Sequence, residues 1–511
     1  MTDRAATPHS PGIMKIVYAP CALVLLAACP HRSLAELPPT TAGTQTKNIP
    51  VSADIDILFV IDNSLSTADK QALFAQNFPA FVDVLDTQFG MGRPNLHIAV
   101  VSTTVGTESS AMLAGCPSAP TDDGAFQAAM VGSDAACSQC AVDGSDRFLS
   151  DVATATGRTT NYSCPGTNPL AVALPCMAEL GTAGCGFEAP LEAMKRALDG
   201  SQPGNTGFVR DGAYLAVVIL TDEDDCSINY DKGGAAIFSL NPADVGGTSD
   251  FRCQPMYAYR CDRAISAVGD GNVHDYTGCV PLSGSASPYL QDTSYYYNAL
   301  TTIKDPSQLV VAVIGGTDAN GNMPDPTGFS IATGPVQVPG QTQVQDPALE
   351  PSCMATVNGH PAIARPGLRL ADFVSQFGER GKYYSVCQSD YTPALRDIGE
   401  RLFAAISPCL EGPIDTTDAD PNNPGLQPQC TVSYLFDFGT PQQHEQELAP
   451  CIMTDPTTPS SQPSPCWYVV TDPTTCADPS TLPTHLELKV ANGPTPPAGT
   501  MTSVSCAVAS P

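Results

Sequence analysis

Positive charge is scarce in this chain: 23 Lys and Arg stand against 52 Asp and Glu, a formal net charge of −29 over 511 residues. A surface of that sign repels phosphate backbones and anionic headgroups, which argues against nucleic acid as a partner. Divalent cations and basic proteins are compatible with it, and so is the plainer reading that acidity maintains solubility. Histidine is scarce too, with 7 scattered residues, and Cys137 with Cys140 forms the only CxxC, so zinc-finger spacing is absent. The chain also lacks a GxSxG elbow, an HExxH pair and a GxxxxGK[ST] loop, the usual starting points of serine hydrolases, zinc hydrolases and phosphate-binding NTPases. There is no internal repeat.

Cysteine, by contrast, is abundant, with 20 residues, a number that a reducing cytosol would not normally support and that implies export. The CxxC is therefore read as part of a disulfide framework rather than as a redox dithiol. At the N-terminus, a weakly basic start with Arg4 and Lys15 leads into an apolar segment, residues 16–28, that ends in Leu26-Ala27-Ala28-Cys29. This resembles a bacterial lipobox. The run is shorter than the ~20 residues that span a bilayer, as suits a cleaved signal, and Met14 is an alternative start. The resemblance implies that Cys29 becomes the lipidated first residue and that Cys21 leaves with the signal, so eighteen cysteines stay available for pairing. The alternative is an ordinary secretory signal cut near Ala28, with Cys29 in a disulfide. The Pro- and Thr-rich stretch that follows, within residues 29–50, reads as a flexible tether.

Residues 55–61 form a nearly continuous, β-branched apolar run, the pattern of a parallel strand covered on both faces. The polar sequence Asp62-Asn63-Ser64-Leu65-Ser66 follows, and then residues 70–85 place Leu73, Phe74, Phe78, Phe81, Val82 and Leu85 near helical spacing. Further strands are expected at 96–101, 214–220, 309–314 and 382–387, and helices at 190–198, 295–303, 370–377 and 394–406. This alternation predicts an α/β fold, a doubly wound and mostly parallel sheet flanked by helices, across residues 51–411. The connections 105–183, 226–292 and 317–366 are long and carry ten cysteines, so disulfides are expected to take the place of a hydrophobic core there. Residues 412–429 read as a Pro-, Asp- and Asn-rich linker. Residues 430–511 read as a small disulfide-stapled β module whose five cysteines are completed by Cys409.

An aspartate at a strand end followed by two serines at alternate positions sets three hard oxygens on one loop, the chemistry that selects Mg²⁺, Mn²⁺ or Ca²⁺. In open α/β sheets ligands settle at that edge. The pattern Asp62-x-Ser64-x-Ser66 after an apolar strand resembles the first element of the metal-ion-dependent adhesion site of von Willebrand factor A (VWA) domains. Leu220-Thr221-Asp222, closing the 214–220 strand, resembles the later element. The resemblance covers roughly residues 51–409. It implies that Ser64 and Ser66 coordinate the cation, that Asp62 and Asp222 bind it directly or through water, and that one position is left for a carboxylate of a partner protein. The sequence departs from the family at the threonine between these elements, where it reads Gly184-Cys185-Gly186-Phe187-Glu188-Ala189-Pro190. Glu188 is a candidate substitute and Thr182 a weaker one, although Glu188 also suits a helix N-terminus. Ser64 and Ser66 have their own competing role as helix caps.

The run Asp222-Glu223-Asp224-Asp225 adds four adjacent carboxylates, which repel one another unless positive charge sits nearby. Cys185 and Cys226 flank the later site elements and are expected to pair. Asp418-x-Asp420-x-Asn422 and Asp318-x-Asn320-x-Asn322 imitate the opening of a calcium loop but lack its glycine and glutamate, and read as turns. These features together predict a non-enzymatic, lipid-anchored envelope protein, at the outer membrane or cell surface, that binds another protein through a cation. A structural protein with a degenerate site is the alternative. A hydrolase using Asp62 is a weaker one, because Ser64 stands where a dehalogenase-type phosphatase needs its second acid.

Overall fold

The computed structural model describes residues 43–87, 93–106, 116, 122–154, 156–239, 251–337, 342–357, 360–476, 484–497 and 499–509. These lie in one compact unit, Ala42–Pro511. The signal-like segment, Cys29 and the start of the tether lie outside the described residues.

Strands β1 (Thr44–Pro50), β2 (Asp54–Ile61), β3 (Asn95–Ser102), β4 (Leu149–Thr154), β5 (Gly157–Thr160), β6 (Tyr214–Leu220), β7 (Leu309–Gly315) and β8 (Gly381–Ser385) alternate with helices α1 (Ala68–Thr87), α2 (Leu170–Ala178), α3 (Pro190–Leu198), α4 (Thr293–Ile303), α5 (Leu368–Ser375) and α6 (Thr392–Ile406). Seven of the strands form one sheet in the order β8-β7-β6-β2-β3-β4-β5. Five of them, from the edge strand β8 to β3, are parallel. The apolar run of β2 explains its central place: Ile55, Ile57, Phe59 and Ile61 pack on one face with α1, α2 and α6, while Leu58 and Val60 pack on the other with α3, α4 and α5. With both faces covered, a period-two strand has no solvent side, which is why residues 55–61 are almost wholly apolar; the exception, Asp56, is buried and paired with Arg210 at 2.8 Å. Phe59 anchors α1, its ring set edge-on to Phe78 at a centroid distance of 5.1 Å.

The long connections have structure of their own. The segment 105–183 lends β4 and β5 to the main sheet as antiparallel strands and includes α2, which the sequence pattern does not announce. The later two build an antiparallel sheet from Tyr259–Arg260, His274–Pro281, Phe329–Gln337 and Val344–Leu349, and a hairpin, Cys353–Val357 with His360–Ala364. Phe187, Ile228, Ile237, Phe238, Tyr259, Tyr276 and Leu290 pack with the cystines of this region. The insertions are thus cross-linked around an apolar cluster, and disulfides supplement that core instead of replacing it.

All eighteen cysteines from Cys116 onward pair, in nine disulfides. The CxxC cysteines go to separate partners, Cys137 to Cys176 and Cys140 to Cys164, and Cys409 pairs with Cys476. The expected Cys185–Cys226 bridge is wrong. Their segments do run side by side, Cys226 N donating to the Glu188 carbonyl at 2.7 Å, but Cys185 bonds Cys116 and Cys226 bonds Cys253. Each sulfur closes a loop of its neighbouring insertion. Such a bridge framework belongs to a chain that folds in an oxidising compartment.

A second sheet contains strands β9 (Cys430–Phe436), β10 (His444–Pro450), β11 (Cys466–Thr471), β12 (Leu486–Ala491) and β13 (Met501–Ala507) in the order β1-β13-β9-β10-β11-β12. Its membership corrects two expectations. Residues 44–50 are not tether but strand β1, paired along its whole length with β13 and burying Ile49; one apolar side chain is too little signal to mark a strand. The stretch 412–429 is not a free linker either, since Ile414 is buried and bridges Val508. Gly212, at φ +73°, lies against Gly499, where a Cβ would approach the Gly499 Cα to 2.4 Å.

The Cys409–Cys476 bridge joins the end of α6 to this sheet across 67 residues. Replacing both cysteines by serine is expected to cost about 2–4 kcal/mol, read from urea unfolding; an unchanged midpoint would contradict a structural role for the bridge.

Candidate metal centre

The carboxyl ends of β2, β3 and β6 lie next to one another, held by Asp62 N donating to the Leu220 carbonyl (2.9 Å) and Thr103 N to that of Ile61 (3.2 Å). A loop leaving each strand end therefore meets the other two. Asp62 is fully buried, and its carboxylate accepts from Ser64 N at 2.8 Å and from the Thr221 hydroxyl at 2.8 Å. The loop consequently curls back over its own aspartate. This brings the Ser64 and Ser66 hydroxyls to 3.2 Å from each other and Ser66 Oγ to 3.1 Å from Asp222 Oδ1.

Outside that ring of oxygens, Gln71 on α1 donates to the carbonyls of Asp62 (2.7 Å) and Gly181 (2.8 Å) and accepts from Gly181 N, pinning the 181 region to the serine loop. Gly184 N donates to the Asn63 carbonyl at 2.8 Å, and a Cβ on Gly184 would come within 2.1 Å of Asn63 Oδ1. Only glycine fits there. Glu188, two per cent exposed, follows in the same segment. Burial first, then the neighbouring carboxyls of Glu223, Asp62 and Asp222, push its carboxyl well above the usual range. Burial and then Asp222 likewise push Asp62 up to about 7. Carboxyls that raise one another in this way share a small, buried volume.

Hydrogen bonds thus link Asp62, Ser64, Ser66 and Asp222 at one edge of the sheet, while Glu188 is tied to the acidic loop by its carbonyl, which accepts from Cys226 N. Thr182 is named by none of the site's hydrogen bonds. Three residues were given no site role by the sequence reading, although Thr221 stood inside its second motif. Thr221 orients Asp62, and Thr103 carries a buried hydroxyl that forms no hydrogen bond. Lys70 is the third: its buried ammonium lies 2.8 Å from Asp222 Oδ2. Thr103 had a legible signal, being a threonine at the end of an apolar strand. Lys70 had none, because lysine on a helix ordinarily faces solvent.

The acidic run does not converge on one cation. Asp222 faces Ser66 and Lys70, while Glu223 pairs with Arg365 at 2.6 Å. Asp224 accepts from the first amides of α5, Arg369 N (2.9 Å) and Leu370 N (3.1 Å). Asp225 pairs with the buried Arg369 at 2.8 Å and accepts from Leu191 N at the start of α3 (3.1 Å). The four adjacent acids are thus satisfied separately, Asp224 and Asp225 both drawing on Arg369, by its amide and its guanidinium. Asp318 and Asp420 bind backbone amides of their own loops, as turns do.

The donor set fits a hard divalent cation. Two ligands at right angles, each about 2.1 Å from Mg²⁺, stand roughly 3 Å apart, the separation found along Ser64, Ser66 and Asp222. Thr103 Oγ1 is buried without a hydrogen-bond partner, whereas Asp222 Oδ2 is ion-paired with Lys70 at 2.8 Å. Among the described residues no group of three or more His, Cys, Asp or Glu side chains is placed to hold a metal; this grouping differs in depending on serine hydroxyls.

No family model and no curated protein matches the chain. Among solved structures it is similar to the pilus adhesin SpaC of Lactobacillus rhamnosus GG (10% identity, 92% of this chain and 41% of that one, TM-score 0.27). It is also similar to a von Willebrand factor type A protein from Catenulispora acidiphila (9%, 92% and 66%, TM-score 0.26) and to the human COPII-coat protein Sec24c (7%, 94% and 48%, TM-score 0.28). The chain spans about two fifths of the adhesin's length and just under two thirds of the Catenulispora protein's. At such scores the likenesses are remote, and the site chemistry stands on this chain's residues.

Glu188→Gln substitutes a neutral isostere for a carboxyl whose neighbours disfavour its charge. In chelator its melting temperature is expected to match or exceed that of the unsubstituted protein, while affinity for Mg²⁺ or Ca²⁺ drops by about tenfold or more. Full retention of affinity, measured by calorimetry, would remove Glu188 from the ligand set.

Proposed function

We propose that this chain is a lipid-anchored envelope protein whose main domain, a doubly wound sheet of VWA type, holds a divalent cation and binds an acidic side chain of another protein through it. The reading is carried by one observation: Ser66 Oγ lies 3.1 Å from Asp222 Oδ1 although the two residues are 156 positions apart. A bound Mg²⁺, Ca²⁺ or Mn²⁺ would supply a hard positive charge with a coordination position open to a carboxylate. In the protein, Ser64, Ser66 and Asp222 would hold it, with Glu188 closing the set. Asp62, whose two oxygens already accept hydrogen bonds, would orient the serine loop and reach the ion through water.

No covalent chemistry is assigned. A nucleophile must meet its substrate, and Asp62 is fully buried beneath its own loop. Leu65, between the two serines, is 52% exposed and gives the rim an apolar contact for a partner. Anchoring rests on Leu26-Ala27-Ala28-Cys29. Among the described residues no helix is long and apolar enough to cross a membrane.

At a hundredfold excess over its dissociation constant, a cation bound by the native state alone raises stability by about 2.7 kcal/mol. Asp62→Ala is expected to abolish this gain with the far-UV circular dichroism unchanged, and the protein is expected to capture its partner in Mg²⁺ and release it in chelator. A cation response that survives in Asp62→Ala would contradict the site. Cys29→Ser is expected to move the protein from the membrane to the soluble fraction; continued membrane retention would count against lipidation.

A further inference from the structure

The proposed cation site already contains a cation. Lys70 lies in the first turn of α1, four residues past Ser66, so its side chain returns over the serine loop. Its ammonium lies 2.8 Å from Asp222 Oδ2 and donates to the Ser66 carbonyl at 2.8 Å. Both side chains of the pair are only 2% exposed. A buried ammonium is costly unless paired, and so is a buried carboxylate. The two offset each other beside the buried side chains of Asp62 and Glu188. With Asp222 Oδ1 turned to Ser66 and Oδ2 to Lys70, the ammonium stands beside the same carboxylate that a divalent ion would use.

We propose that Lys70 is a built-in counter-ion which holds Asp222 in the metal-free protein and is displaced from it when a divalent cation enters, so that Lys70 sets the affinity of the site. This rests on the cation reading given above. Two positive charges a few ångströms apart in a poorly hydrated pocket repel strongly, so the ion and the ammonium do not share Asp222. A second carboxylate stands ready for the displaced ammonium: Asp69 Oδ1 is 3.5 Å from Nζ, and its side chain is 24% exposed, which leads the flexible lysine stem towards solvent. The exchange replaces the single charge of the ammonium with the double charge of the ion, so the acids have a cation beside them in either state. It explains why a cluster of buried carboxyls tolerates the metal-free condition.

The test compares the disulfide-intact full chain with Lys70→Met, using Mn²⁺ alone as the probe in calorimetric titration. Lys70→Met is expected to bind Mn²⁺ roughly tenfold more tightly or better, and to melt at a lower temperature in chelator, since Asp222 then lacks a counter-charge. Independently of any variant, saturating Mn²⁺ is expected to increase acetylation of Lys70 in the unsubstituted protein several-fold relative to its other lysines, read by mass spectrometry. That arm decides the matter if Lys70→Met does not fold. Equal Mn²⁺ affinity in the two folded proteins, or Lys70 labelling indifferent to Mn²⁺, overturns the counter-ion role and leaves the cation site standing. Absence of Mn²⁺ binding in both proteins overturns the two together.

Discussion

The buried loop 221–227 is the constraint on which the rest of this structure depends. It carries four acids in a row into a region nearly free of water, and every buried carboxylate must find a cation or a hydrogen-bond donor there. The chain meets that demand by sending each acid to a different element. Thr221 and Asp222 meet the serine loop and α1; Glu223 meets Arg365. Asp224 caps α5, whose own sequence supplies no capping side chain. Asp225 and Ser227 receive the first amides of α3. Electrostatic satisfaction of one short loop thereby locates three helices and both halves of the candidate site.

This arrangement explains how long insertions coexist with a precise sheet edge. The insertions leave from the strand ends that bear the site, and slack there would spread to the ligands. Cys226–Cys253 and Cys116–Cys185 tie the flanks of the acidic loop and of the Glu188 segment to neighbouring chain, and Cys353–Cys387 holds the 353–364 hairpin beside β8. Arg365, just beyond that hairpin, donates its amide to the Asp222 carbonyl at 2.8 Å. A covalent framework therefore supports the backbone of the acidic loop from outside while its side chains are satisfied from inside. The framework also restricts where the chain folds, since its bridges need an oxidising compartment.

The site itself combines preorganisation with unspent oxygen valence. Asp62 is held by two donors and the serine hydroxyls stand at ligand spacing, so little rearrangement accompanies ion entry, which favours affinity. The charge balance opposes it, because Lys70 already neutralises Asp222. Affinity is then decided by the difference between two electrostatic terms of similar kind, and a single helical lysine shifts it.

Several features were legible in the one-dimensional chain. The apolar runs at 55–61, 214–220 and 309–314 marked central strands because a strand covered on both faces leaves little room for polar residues, the buried Asp56 with its Arg210 partner being the exception. The polar pattern from Asp62 to Ser66 marked its loop because oxygen donors grouped at a strand end have a recognisable spacing, and the even number of cysteines after Cys29 matched complete pairing. Partner choice was not legible. The segments of Cys185 and Cys226 run side by side yet the two bond elsewhere, since a disulfide needs a particular separation and direction of two side chains and not only neighbouring segments. Strand β1 carries one buried apolar residue and owes its existence to β13, more than four hundred residues later. Composition and periodicity determined which elements form and what chemistry they carry, because those follow from local burial. Tertiary structure alone decided which distant charges meet, Lys70 with Asp222 above all, because a charge takes its partner from three-dimensional neighbours that no local pattern encodes.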